Sequence, residues 1–313
     1  MAPQSSNRVA VIDVGSNTLL MLVVERQGGA LIRVSDRCRF GRLGQGIDRT
    51  GEIDRAALAR SLAILRDYRQ EARTLGAWRL AAIGTQALRE AANREEFLTP
   101  AEEILGTPVE VISGEREAEL AFVAAVTGAA EPCDDGEVVV ADVGGASTEI
   151  ITGRRNGHMR NHNSLPLGCV RHTERHLPSN PPSHSEVDAL IADIDSILSG
   201  ATRALPRGVP LIASGGTAST MAAVALGLSE YDPDRVHGTR LEPAAVSQQL
   251  EDLLSRTTAE RRRVPGMEPE RADVIAAGVQ IYARLLHHLK APALTISDRG
   301  IRWGLARELL LGR

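Results

Sequence analysis

The sequence predicts an α/β protein of two domains with similar topology. Three observations carry this. The stretch "VAVIDVGSNTLLMLVVE" at 9–25 is echoed by "VVVADVGGASTEI" at 138–150: an apolar run delivers one aspartate, Asp13 or Asp142, a glycine turn follows, and apolar residues resume at once. After each copy, β-branched runs alternate with amphipathic ones, the order of strands and helices in an α/β domain. Between the halves lies "EPCDDGE", polar and turn-rich, so the boundary falls just before it and the domains are 1–125 and 126–313, the final helix being free to pack back on the first.

The elements follow in order. Residues 9–13 and 19–25 read as the strands of a hairpin. "GQGIDRTGEID" is loop, and its last residue, Asp54, can cap a helix in which Leu58, Leu62, Leu65 and Leu75 fall near one stripe. "RLAAIGTQALRE" is a buried strand, then Gly84 and Thr85, then a helix from Gln86. "VEVISGEREAELAFVAAV" repeats that order, with Ser113 and Gly114 at the break. In the second half the hairpin restarts, "LPSNPPSH" is loop, and Val187, Leu190, Ile191, Ile194, Ile197 and Leu198 form a helical stripe. "VPLIASGGTASTMAAVAL" is strand, glycine turn and helix; "EPERADVIAAGVQIYARLLHHL" is one long helix; "ALTISDRGIRWGLAREL" is a strand and a last helix.

Composition narrows the function. Charged residues make up 24% and hydrophobic residues 43% of the 313 residues, the balance of a globular protein, and a net charge of −4 with 3% aromatics argues against DNA or RNA as partner. No stretch reads as a membrane span, and "MAPQSSN" shows no signal-peptide pattern, so a cytoplasmic protein is expected. Cys38, Cys133 and Cys169 have no disulfide or zinc spacing and read as reduced, core or half-buried thiols. Of 36 Lys plus Arg, one is lysine, Lys290. That excludes a P-loop lysine and makes arginine the cation for any phosphate.

The chemistry lies in the turns. In "DVGSNT" and "DVGGAST" a glycine lets phosphate approach the backbone, successive N–H groups form an anion-binding concavity, and hydroxyls add donors. Asp13 and Asp142 can hold Mg²⁺ through its waters. One such turn would be an ordinary hairpin feature; two, each heading a half-chain, point to a phosphate site. A third glycine turn in "ASGGTAST", at Gly215 and Gly216, opens a helix. His172 and His176, without a third ligand, read as a solvated face, and "ERRRVPG" at 260–266 as a solvated basic loop. His237 has no assigned mechanism.

"IDVGSNTLLMLVVE", "RLGQGI", "GTQALREAANREEFL", "VISGEREAELAF", "ADVGGASTEI", "SLPLGCVRHTE", "ASGGTAST", "DRVHG", "ERADVIAAG" and "SDRGIRWGL" come in one order over nearly the whole chain. In these the sequence resembles the exopolyphosphatase and guanosine pentaphosphate phosphatase family, in its short form, within the actin-like ATPase superfamily. The resemblance implies two actin-like (ribonuclease H-like) domains with a cleft between them. It further implies Mg²⁺- or other divalent-cation-dependent release of terminal phosphate from polyphosphate, short chains expected, or from guanosine pentaphosphate. A homodimer is one assembly open to it. It places the water-activating base on Glu117, or on Glu115 if the local register differs, and the phosphate-binding arginine on Arg89. It places phosphate contacts on Gly15, Ser16, Asn17, Thr18, Gly144, Gly145, Ser147 and Thr148, and metal contacts on Asp13, Asp142 and Glu149. Two positions depart from the family: Arg116 stands where the first of two adjacent glutamates is usual, and Ala146 where a third glycine is common. Without the resemblance, Glu117 reads as a first-turn acid complementing the helix dipole and Arg89 as a surface arginine pairing with Glu90 or Glu95. The competing functions are a kinase or ATPase of the same superfamily and a non-catalytic nucleotide sensor.

Overall fold

The computed structural model describes residues 7–45, 47–129 and 136–312. The chain divides into two compact units, Met1–Ala124 with Ile301–Arg313, and Ala125–Gly300. The division by sequence at 125/126 put the last helix nominally with the second domain; here it is counted with the first. The "EPCDDGE" boundary and Cys133 fall largely or wholly outside the described residues.

The first unit carries a five-stranded sheet of β1 (Arg8–Val14), β2 (Thr18–Gln27), β3 (Ala30–Phe40), β4 (Arg79–Gly84) and β5 (Val109–Val111), ordered β3-β2-β1-β4-β5. β1, β2 and β3 are antiparallel, and β4 and β5 join parallel to β1. The second unit carries β6 (Glu137–Val143), β7 (Thr148–Arg154), β8 (Met159–Leu165), β9 (Leu211–Ser214), β10 (Arg240–Leu241) and β11 (Leu294–Ile296), ordered β10-β11-β9-β6-β7-β8. Its strands β8-β7-β6-β9-β11 repeat the first unit's order and directions, with β10 added at the edge. In each unit the aspartate is the last but one residue of the central strand.

β1 is buried from Val9 to Val14, as a central strand covered on both faces must be. On one face lies the core around Leu19, Met21, Leu58, Leu65, Tyr68 and Phe97, under the helix Arg55–Thr74, whose N-terminus Asp54 caps. The other face is covered by Ala124, Trp303 and Ala306, from the helices Gly114–Ala129 and Ile301–Leu311. These two helices meet closely: a Cβ on Gly304 would lie 2.2 Å from the Leu120 carbonyl oxygen. In the second unit the buried helix Ile275–Leu289 is the centre of the core. It begins later than the sequence suggested, because Pro269–Arg271 forms a 3₁₀ turn that breaks the run. Among the described residues no helix is long and apolar enough to cross a membrane.

Candidate active site

Each glycine turn is built by the same device. In the first unit the Gly15 N–H donates to the Thr18 carbonyl oxygen (3.0 Å), closing a turn with Ser16 and Asn17 at its tip. Two backbone groups then reach in from the loop after β3: Gly44 N–H donates to Ser16 O (2.7 Å) and Arg42 N–H to Asn17 O (2.9 Å). Gly44 is required there, since a Cβ would lie 2.8 Å from Ser16 Cβ. In a trans peptide the carbonyl and the next N–H point opposite ways. Tying up the carbonyls of Ser16 and Asn17 on one side therefore turns the N–H groups of Asn17 and Thr18 to the other.

The second unit repeats this. Gly144 N–H donates to Ser147 O (2.9 Å), and the start of the helix Cys169–His176 takes the turn's carbonyls. Cys169 N–H donates to Gly144 O (2.9 Å), and Val170 and Arg171 N–H donate to Gly145 O (3.0 and 3.1 Å). The Arg171 guanidinium donates to Ala146 O (2.9 Å). The N–H groups of Gly145, Ala146 and Ser147 are left facing the opposite way, a concavity suited to anions. Ala146 takes its place in this turn without positive φ, so the missing third glycine costs no strain.

The register corrects one residue. Val14 pairs with Leu19 and Val143 with Thr148, so Thr18 corresponds to Ser147, and Thr148 corresponds to the core residue Leu19. Thr148 is wholly buried and its hydroxyl donates to Leu167 O (2.7 Å), which turns it away from a phosphate. Glu149 stands opposite Asp142, and its carboxylate accepts from Ser164 Oγ (2.6 Å) and Ser147 Oγ (3.3 Å) and meets His162 Nε2 (2.6 Å).

Asp13 is buried and its Oδ1 has no hydrogen-bond partner. Burial pushes its carboxyl up to about 7, against the pull of Arg302 and helped by Glu117. Arg302, in the first turn of the last helix, is itself paired with Asp36. Asp142 Oδ2 accepts from Ser214 Oγ (3.1 Å). Beneath it Tyr282 is fully buried, accepting from Val143 N–H (3.2 Å) and lying 2.9 Å from Ser214 O, so it fastens the ends of β6 and β9 together. Burial holds the Tyr282 hydroxyl far above the usual phenol range.

Gly215 and Gly216 have a different local reason from the one expected. Gly215 has φ +83°, and a Cβ there would lie 2.3 Å from Asp142 Oδ1; one on Gly216 would lie 2.1 Å from Arg271 Nη2. Their missing side chains make room for a carboxylate and a guanidinium.

Arg89 and Glu117 meet directly. The Arg89 guanidinium donates to Glu117 Oε2 (2.9 Å) and to the Ile112 carbonyl (2.8 Å), both groups being partly open to solvent. Glu115 is exposed, and it is Glu117 that shares this pair with Arg89. Ser113 Oγ caps the helix by accepting from Arg116 N–H (3.1 Å). Position 116 is thus the third helical residue, where a glutamate would close a capping box. Arg116 cannot accept such a bond and pairs instead with Glu119 (3.1 Å) and Glu308, tying this helix to the last one.

Several lesser expectations are corrected. His172 is buried, not on a solvated face, and lies with His176 against Asp193. Arg261 of the basic loop is buried and donates to Leu253 O (2.6 Å). Cys38 is exposed, while Cys169 is buried, as the packing role expected of it requires. His237 Nδ1 accepts from Asp298 N–H (3.3 Å), which links two loops. Among the described residues no three His, Cys, Asp or Glu side chains are gathered to hold a metal.

Residues 22–312 match the model of the Ppx/GppA phosphatase family. The chain is 34% identical to exopolyphosphatase 2 of Mycobacterium tuberculosis (strain H37Rv), over 96% of this chain and 98% of that one. It is 30% identical to the guanosine-5'-triphosphate,3'-diphosphate pyrophosphatase of Aeromonas hydrophila, over 96% of this chain and 59% of that longer protein. Crystal structures of the Aquifex aeolicus Ppx/GppA phosphatase superpose with TM-scores of 0.88 and 0.86 at 32% identity, covering 97% of this chain in both cases and 99% and 97% of those chains. The α/β fold of two actin-like domains expected from the sequence is the fold they share. With the family's model matched from residue 22 to residue 312 and its fold shared, the chain belongs to the Ppx/GppA phosphatase family.

Proposed function

We propose that this chain is a cytoplasmic phosphohydrolase that releases the terminal phosphate of inorganic polyphosphate, of guanosine pentaphosphate, or of both. The observation that carries the proposal is the Arg89–Glu117 pair in a unit that also presents an N–H-lined turn and a buried, partnerless carboxylate oxygen. Phosphoanhydride hydrolysis needs donors around the phosphoryl oxygens and a group that orients a water in line. Each unit's turn offers such donors by itself: the N–H groups of Asn17 and Thr18 with the Ser16 hydroxyl in the first unit, and those of residues 145–147 with the Ser147 hydroxyl in the second. Arg89 binds a phosphoryl oxygen in its planar fork. Glu117 then accepts the proton of the attacking water.

Asp13 in the first unit and Asp142 in the second are each the kind of carboxylate that Mg²⁺ takes, a hard cation that keeps most of its waters and binds one or two carboxylates with substrate phosphates. When bound it would neutralise charge building on the phosphoryl oxygens. Glu149, occupied by Ser147, His162 and Ser164, is read as a group that steadies the Ser147 hydroxyl rather than as a direct metal ligand.

The test is time-resolved phosphate release with Mg²⁺ from short polyphosphate, long polyphosphate, guanosine pentaphosphate and ATP in parallel. A net charge of −4 favours short chains over long polyanions. A rate per chain end that climbs steadily with length contradicts that preference; no release from any substrate removes the proposal.

A further inference from the structure

The second glycine turn is held from behind by the two-turn helix Cys169–His176. Gly168, the residue before it, touches the turn so closely that a Cβ would lie 2.3 Å from Gly145 O and 2.5 Å from Ala146 N. Turn and helix start must therefore move together. The same helix is held elsewhere by one carboxylate, Asp193 of the helix His184–Ala201. Its oxygen Oδ2 meets His176 Nε2 (2.8 Å), Arg175 Nη1 (3.2 Å) and His172 Nε2 (3.6 Å).

His172 connects the two ends. Its ring is wholly buried, and its Nδ1 lies 3.2 Å from the Gly168 N–H and 3.0 Å from the Gly168 carbonyl oxygen. Burial keeps this histidine below its ordinary pKa and so neutral. Its Nε2 has no hydrogen-bond partner and lies 3.6 Å from Asp193 Oδ2, so the carboxylate acts on the ring through its charge and through packing. A continuous path of contacts thus runs from Asp193 through His172 to Gly168 and the turn's backbone.

We propose that Asp193 is a positioning residue for the phosphate-binding turn 144–147, acting through His172 and the helix Cys169–His176. This rests on the reading of that turn as a phosphate site. Asp193 touches no substrate; it fixes the angle at which the helix start grips the turn carbonyls, and hence the aim of the N–H groups of Gly145, Ala146 and Ser147. An aimed donor set binds more tightly than one that must be ordered on binding.

The test compares Asp193→Asn, His172→Asn and their double variant with Asp195→Asn. Asp195 lies two residues further along the same helix, and its ion pairs are to Arg284 and His288 rather than to the helix Cys169–His176. With tripolyphosphate as substrate, Asp193→Asn is expected to raise KM roughly tenfold, the scale of losing a charge-assisted hydrogen bond. kcat should stay within about twofold, the pattern of lost uniform binding. Inhibition by inorganic phosphate should weaken in parallel. His172→Asn keeps a polar group near Gly168 but loses the reach to Asp193, so it should raise KM as well, and the double variant should be no worse than Asp193→Asn alone. Asp195→Asn should lower Tm and leave KM unchanged. The proposal is overturned if Asp193→Asn lowers Tm without moving KM or phosphate inhibition, if Asp195→Asn raises KM equally, or if the double variant is additive. Calorimetric titration with inorganic phosphate reads the same effect without turnover. A wild-type protein that binds phosphate but cleaves nothing would therefore remove the hydrolase reading while this one was still being decided.

Discussion

Replacing Asp13 by asparagine should stabilise the fold at neutral pH and above, even where it destroys activity. Asp13 sits at the end of the central strand with 8% of its surface exposed and Oδ1 unpartnered. Its carboxyl is held up to about 7, with burial as the main cause. A raised carboxylate keeps its proton in the native state where the unfolded chain has lost it. Stability then falls as pH rises from the ordinary aspartate range, near 4, to about 7, and is flat outside that window. The gap corresponds to at most ~4 kcal/mol. An asparagine side chain has nearly the same shape and never ionises. The variant should match the wild type near pH 4 and exceed it at pH 8, by up to ~4 kcal/mol or roughly 10 °C in Tm for units of this size. The assay is thermal and urea unfolding of both proteins across pH 4–9 without divalent cations. Mg²⁺ should then recover stability for the wild type at pH 8 and not for the variant, since a ligand stabilises only the form it binds. A variant less stable than wild type at pH 8, or one with the same pH slope, refutes the reasoning.

Three further outcomes are expected. Glu117→Gln should lower kcat by about 10²–10⁴-fold, while Glu115→Gln stays mild; a crippled Glu115 variant beside an active Glu117 variant would reassign the base. Asp142→Asn should blunt the Mg²⁺ response and turnover while circular dichroism stays native, and a wild-type response would show that the metal lies elsewhere. Gly304→Ala should destabilise by ~1–3 kcal/mol in denaturant melts, because its methyl would overlap the Leu120 carbonyl at 2.2 Å; an unchanged midpoint would mean the two helices can part without cost.

The parts of the molecule that show plainly in the sequence are those whose cause is local. The hairpins around Asp13 and Asp142, the glycine breaks at Gly84, Gly114 and Gly215, and the cap at Asp54 each follow from a few neighbouring residues. β3 and β8 are less legible. Both are edge strands, and "ALIRVSDRCRF" and "MRNHNSL" carry the charged and polar residues that keep an open edge from pairing with another chain. That same protection hides their strand character. At the site, Glu117 and Arg89 were found by resemblance, yet their pairing spans 28 positions. Tyr282, Arg271, Arg302 and Asp193 had no local signal, because tertiary packing alone brings them to Val143, Gly216, Asp13 and the helix Cys169–His176. The Tyr282 bond to Val143 spans 139 positions, and to a periodicity argument Tyr282 is one more apolar position on a long helix. His172 was misread because two histidines four apart on an eight-residue helix look the same whether that face meets water or Asp193.

The return of the chain to its first unit has a consequence for synthesis. Residues 301–312 emerge from the ribosome only after all of Ala125–Gly300. Until then Val9, Val11, Leu22 and Val24 lack the cover of Trp303 and Ala306, and Arg116 lacks Glu308. The second unit can close on its own as it is made, whereas the first waits with an apolar sheet face bare and needing protection. Asp13 also waits, without the Arg302 charge that draws its proton away. A chain released before residue 301 would keep both glycine turns, Arg89 and Glu117 in its sequence and still lack a finished first unit. Synthesis past residue 301 thereby becomes a condition for finishing the surroundings of Asp13.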